Sequence, residues 1–276
     1  MKRQNIKYWG LLGLVMSSII VSFSGLQLAK AELIPELLIS VYFPGGVKRP
    51  PTEKTKGGGT RGTFCVTKND LKNDLKNDLK NDLKNDLIPL MPRIPTESYD
   101  GTTIYAGTTV STNPQIFVYV PKHEANLAEF VISDSNKESG EKNLYPITQY
   151  NISDTSGIVK LNLPKNVNLT TNQEYTWTFT IICDPLDRSA DQSVKGTIEK
   201  IEISSDLKNS LENATPLQQA EIYAKAKIWS DTIALVADLR TSDPAEWEAE
   251  WKELLGSVGL GQIASEPFVP CCQVEE

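Results

Sequence analysis

Between Tyr175 and Cys183 the chain places Tyr175, Trp177, Phe179, Ile181 and Cys183 in alternation with Thr176, Thr178, Thr180 and Ile182. A period of two built from aromatic and β-branched residues is satisfied by an extended strand with one buried face. Shorter stretches of the same character predict strands over 103–109, 115–120, 126–133, 144–150, 157–163 and 193–203. Asn113-Pro114, Ser135-Asn136, Asp154 to Gly157 and Thr171-Asn172 supply turns between them. Seven short strands so spaced predict an immunoglobulin-like β-sandwich with Tyr175–Cys183 central in a sheet. Trp177 is expected in the core near Cys183, on the same strand face. In the last strand Val194, Gly196 and Ile198 share one phase and Ile201 and Ile203 the other, which predicts a bulge near Glu199-Lys200.

After Ile203 the period changes to that of helices. Ser204 or Ser205 can cap a short helix holding Leu207 and Leu211. Thr215 can cap the next, with Pro216 at its first position, where the missing N–H costs nothing. Leu217, Ala220, Ala224 and Ile228 fall on one face. Ile233, Val236, Ala237 and Leu239 mark a further helix. Asp243-Pro244 opens a last one, with Trp247, Trp251, Leu254, Leu255 and Val258 as an apolar stripe and Gly259 or Gly261 as its stop. The fold class expected is therefore mainly β, a sandwich followed by a three- to four-helix C-terminal segment.

The N-terminal third is of a different kind. Lys2, Arg3 and Lys7 precede a mostly apolar run from Trp9 to Phe23, and Ala29-Lys30-Ala31 offers small residues for cleavage. Residues 1–31 thus read as a secretory signal, with an uncleaved anchor as the alternative. No later stretch is apolar enough to span a bilayer. Residues 32–67 are rich in Gly and Pro and read as flexible, with a short strand at Leu37 to Phe43. Residues 68–87 are five copies of Lys-Asn-Asp-Leu. The leucines fall four apart, but each Lys and each Asp meets its like at i+4, which opposes a helix. With the proline-rich connector that follows, 68–95 reads as a low-complexity linker. The sandwich is then assigned to 96–203 and the helical segment to 204–276.

Charge excludes one class of partner. Without the signal the chain carries 24 basic and 35 acidic residues, and 201–276 alone has 5 against 14. Nucleic-acid binding needs concentrated Lys and Arg, so it is not expected.

All four cysteines lie in the part expected to be exported, which favours disulfides. Three pairings are possible. Adjacent cysteines rarely bridge each other, so Cys65 or Cys183 is expected to be tied to Cys271 or Cys272. The spacing is not that of a zinc site, and His123, in a loop, is the sole histidine. No metal or cofactor is expected. Asp184, Asp187, Arg188 and Asp191 cluster after the central strand. They can form a cation or ligand loop, but Arg188 is expected to pair with Asp184 or Asp187 and pin the turn.

The stretches GGGTRGTFC (57–65), PQIFVYVP (114–121), AEFVISD (128–134), SGIVKLNLP (156–164), YTWTFTIICDPLDRS (175–189), ATPLQQAEIYAKAKIWSDTIALVADLR (214–240) and the Cys271-Cys272 ending resemble the family called domain of unknown function 928. The likeness covers most of 57–272, with the five-fold repeat as an insertion. It implies a cyanobacterial, exported setting and no mechanism. Ala220 to Pro244 separately resembles one tetratricopeptide-like helical hairpin.

The function expected on these grounds is a noncatalytic module, periplasmic or extracellular, that meets a protein partner in the cell envelope. No stable membrane span is expected once the signal is cleaved. The alternative is a ligand- or metal-binding protein or hydrolase using Asp184, Asp187, Arg188 and Asp191.

Overall fold

The computed structural model describes residues 40–45, 65, 86–94, 104–135, 142–144, 147–163 and 167–272. The expected signal, the glycine run at 57–59 and residues 68–85 of the repeat lie outside them. The described residues belong to one compact unit, Ser40–Glu276.

The protein is mainly β. Its strands are β1 (Ile88–Pro89), β2 (Arg93–Ile94), β3 (Ile104–Thr109), β4 (Gln115–Val120), β5 (Leu127–Ser135), β6 (Lys142–Leu144), β7 (Thr148–Asn151), β8 (Gly157–Asn162), β9 (Gln173–Ile182) and β10 (Gln192–Lys200). One sheet runs β1-β4-β8. The larger runs β2-β3-β10-β9-β5-β6, with β7 also paired to β5. The alternating stretch is β9, held between β10 and β5 by antiparallel ladders along nearly its whole length. It is therefore central, as its pattern requires.

Trp177 is fully buried on β9 and stacks on Phe130 with ring centroids 6.4 Å apart. Its place beside Cys183 is corrected: six residues of extended chain separate them by about 20 Å. The indole instead covers Gly196 of β10. A Cβ at 196 would lie 2.6 Å from Trp177 Cζ2 and 2.8 Å from Met91 Sδ. Only glycine leaves room for the ring.

The expected bulge at Glu199-Lys200 is absent. Those residues pair in unbroken register with Glu174 and Gln173, and the strand ends there. Ile203 stays 36% exposed, so nothing restores it to the core.

The proline-rich stretch read as a connector supplies β1 and β2, and Leu90 and Met91 between them are buried. Pro89 fits because β1 is an edge strand, where a missing donor breaks no inner ladder. Residues 40–43, expected to be flexible with a short strand, form no strand, yet Val41 and Phe43 are fully buried. Their N–H groups donate to Glu250 Oε2 (3.0 Å) and Ser257 Oγ (3.2 Å).

Four helices follow: α1 (Ser205–Leu211), α2 (Pro216–Lys225), α3 (Trp229–Ser242) and α4 (Pro244–Ser257). Ser204 caps α1. Thr215 caps α2 with a full capping box closed by Gln218, and Asp243 caps α4. Trp251, Leu254 and Leu255 are buried, while Trp247 and Val258 are only partly covered.

These helices are fastened to the strands at several points. The Trp229 ring N–H donates to the Leu90 carbonyl at 2.8 Å, and Phe43 meets the Trp229 ring edge-on at 5.0 Å. Phe117 of β4, Trp251 of α4 and Phe268 form a chain of aromatic contacts. The buried Arg240 guanidinium lies 5.3 Å from the Trp251 ring and 5.0 Å from the Phe268 ring, while binding Glu248 at 2.7 Å. Residues 267–269 run parallel to β8: Ile158 donates to Pro267 O and Val269 donates to Ile158 O. A Cβ at Gly157 would sit 2.7 Å from the Pro267 carbonyl oxygen, so this approach needs glycine.

The cysteine pairing is the reverse of the one expected. Cys65 bridges Cys183, and Cys271 bridges Cys272. Glu124 N–H donates to Cys65 O at 3.3 Å, which sets Cys65 at the loop after β4. Cys183 leaves the neighbouring end of β9, opposite the start of β5. The chain end is meanwhile committed to β8.

Candidate functional site

Two polar places stand out: the loop after β9 and a cleft where the helices meet the β3–β4 turn.

In the loop each charged group is already engaged. Asp184 Oδ1 accepts Leu186 N–H at 2.8 Å, and Asp187 Oδ1 accepts Ser189 N–H at 3.0 Å, capping a short turn of 3₁₀ helix over Arg188–Ala190. Hydrogen bonds from the Ser189 side chain and then from its N–H hold the Asp187 carboxyl below the usual range. Arg188 does not pair with either of these, contrary to expectation. Its Nε bonds Asp191, and its Nη2 donates to Glu129 Oε2 of β5 at 2.8 Å. The Arg188 hydrogen bond and a second from Gln149 lower the Glu129 pKa. Asp191 also accepts Cys183 N–H at 3.2 Å. The structure thus joins Asp191 and Arg188 and turns Asp184 and Asp187 onto the backbone. Leu186 at the tip is 97% exposed.

His123 does lie in a loop but is only 2% exposed, and burial lowers its pKa. It lines a small crevice with Val269 and Cys271.

The cleft was not foreseen. It has a volume of about 280 Å³. The β3–β4 turn contributes Thr109, Ser111, Asn113, Pro114 and Gln115, and α2 contributes Gln219 and Tyr223 one turn apart. From α3 come Ser230, Asp231, Ala234, Leu235 and Asp238. Their spacing of one, three, one and three puts them on a single helix face. Ile233, Val236, Ala237 and Arg240 take the buried side of that helix.

Asp231 is the hinge of the arrangement. Its Oδ2 accepts Thr109 Oγ1–H at 2.8 Å and Val110 N–H at 3.1 Å. Thr109 Oγ1 in turn accepts Ser111 N–H at 3.0 Å, so a short relay shapes the turn. Asp231 stands in the first turn of α3, where a negative charge suits the helix dipole. Burial nonetheless outweighs these bonds and raises its pKa above the ordinary aspartate value. Burial also raises the Tyr223 hydroxyl, helped by the nearby Asp231 charge. Asp238, more exposed, binds Lys160 of β8 at 2.8 Å.

A carboxyl that holds its proton more tightly in the folded state supports folding most below its unfolded pKa. That support is lost as pH rises through the folded value. Asp231→Asn is uncharged throughout. Its stability relative to wild type is expected to rise from about pH 3 to about pH 7, the span over which an aspartate ionises. Paired urea melts at both pH values check this.

The only sequence signal for the cleft is an aspartate in the first turn of a helix whose cap residue, Ile228, cannot cap. That signal is silent about Thr109, over a hundred residues earlier.

Fold and site together define a β-sandwich with a fastened helical tail and a polar cleft along their seam. The chain matches the family model for Domain of Unknown Function (DUF928) over residues 56–268, and it belongs to that family. No curated protein matches it.

Proposed function

We propose that the protein is an exported, noncatalytic module that binds a protein partner of the cell envelope. The observation that carries this reading is the cleft between α3 and the β3–β4 turn, a concave polar surface held open by a fixed frame. The amino-terminal signal pattern supports a partner outside the cytosol, in the periplasm or beyond. The cyanobacterial setting that the resemblance implies and the tetratricopeptide-like pattern of α2 and α3 support such a role. A ligand, metal or hydrolase site at Asp184, Asp187, Arg188 and Asp191 is the weaker reading, since those groups already hold one another and the backbone.

The test uses the full chain in its own cells, with a photoreactive residue in place of Gln219 at the cleft wall. A discrete cross-linked complex is expected, and it should vanish when Ala234→Arg fills the cleft. Mass analysis of the purified protein should show an amino terminus near Glu32. A complex indifferent to Ala234→Arg refutes the cleft as the partner site. An intact Met1 on the extracted protein refutes cleavage of the signal.

A further inference from the structure

The cleft's polar lining is lopsided. Among the described residues that line it are two carboxylates, Asp231 and Asp238, and no basic side chain. Asp238 has Lys160 as a counter-charge, while Asp231 is bonded only by a hydroxyl and by backbone N–H groups. Ser230, beside it, is 4% exposed and lines the cleft with a hydroxyl that no described residue pairs. Gln115 Oε1, also on the cleft wall, is buried with no hydrogen-bond partner among the described residues, and such a group is normally satisfied by a partner or by water. The cleft therefore offers a carboxylate and a free hydroxyl side by side on the first turn of α3, with the aliphatic surface of Ala234 and Leu235 one turn further on.

We infer that the cleft receives an aliphatic primary ammonium group, the end of a lysine side chain carried by the partner protein. This assignment rests on the cleft being the partner site. Three features select the group. About 280 Å³ is below the usual range for small-molecule pockets and suits one extended side chain. Ala234 and Leu235 suit its methylenes, and an ammonium offers three donors to Asp231 and Ser230. A guanidinium fits worse: its paired N–H groups bind both oxygens of a carboxylate at once, and Asp231 Oδ2 already takes two donors.

The experiment is a titration of the isotopically labelled full chain, followed by amide chemical shifts. The probes are the N-acetyl methylamides of lysine, norleucine and arginine, and free 1,4-diaminobutane. The lysine compound is expected to shift resonances of 109–115 and 230–238 and to bind roughly ten-fold or more tighter than norleucine, which has the same stem without the charge. Asp231→Asn should abolish that preference without changing norleucine binding or the melting temperature at acidic pH. Equal binding of lysine and norleucine overturns the proposal, as does tighter binding of arginine. Tighter binding of diaminobutane than of the lysine compound transfers the site to a free polyamine and overturns the protein source. If no amine binds while Ala234→Arg still removes the cross-linked complex, the ammonium assignment fails and the partner cleft survives.

Discussion

Trp177→Ala is expected to destabilise the protein by about 3 to 5 kcal/mol, the cost of removing a large aromatic from a closed core. The side chain is fully buried, stacked on Phe130, and lies across Gly196 and Met91. Deleting it empties the space that glycine at 196 exists to leave. The backbone there cannot collapse to refill it, because β9 and β10 are laddered from Gln192 to Lys200. Trp177→Phe should cost much less. The Trp177 ring N–H is buried with no hydrogen-bond partner, so phenylalanine removes an unmet donor along with part of the ring. Gly196→Ala provides the converse: it adds a methyl where the ring already stands, and overpacking of this kind typically costs about 1 to 3 kcal/mol. Urea unfolding of the three variants checks the order. Equal losses for Trp177→Phe and Trp177→Ala would show that the ring's volume is not what matters.

The same residues show how far the amino-acid sequence could be read. Alternation identified β9 and its central place, because a central strand must satisfy two neighbours and one buried face at once. Cap chemistry identified three helix starts, since Ser204, Thr215 and Asp243 act within three residues of themselves. What failed was whatever depended on distant partners. Arg188 found Glu129, 59 positions away, because Asp184 and Asp187 were taken by nearer backbone N–H groups. Prolines at 89 and 92 disguised β1 and β2 as a connector, although an edge strand tolerates them. The cleft failed most fully. Thr109, Tyr223 and Asp231 sit in three segments whose local patterns say strand end, helix face and helix start, and none of these says binding surface.

Loss of the Cys65–Cys183 bridge is expected to have the largest effect of any change outside the core. The two residues are 118 apart. In the chain-entropy account, closing a loop of that length removes enough disorder from the unfolded chain to stabilise the fold by about 5 kcal/mol. The bridge also keeps Cys65 beside the loop after β4, where Glu124 N–H donates to Cys65 O. Cys65→Ser with Cys183→Ser should therefore lower the melting temperature by roughly 10 to 20 °C for a domain of this size. Cys271→Ser with Cys272→Ser should do far less, because residues one apart enclose almost no chain whose freedom could be lost. The contrast separates this pairing from one in which Cys65 or Cys183 reaches the chain end, where either double variant would break the long loop and both would melt early. It also bears on where the protein works. A bridge contributing on this scale forms and persists in an oxidising compartment and is lost in a reducing one. On the proposed reading of residues 1–31 as an export signal, the chain lacking them stays in a reducing cytosol and is expected to accumulate in a form that melts like Cys65→Ser/Cys183→Ser. Equal melting temperatures for this form and for the full chain would show that the sandwich and its helical tail hold together without the bridge.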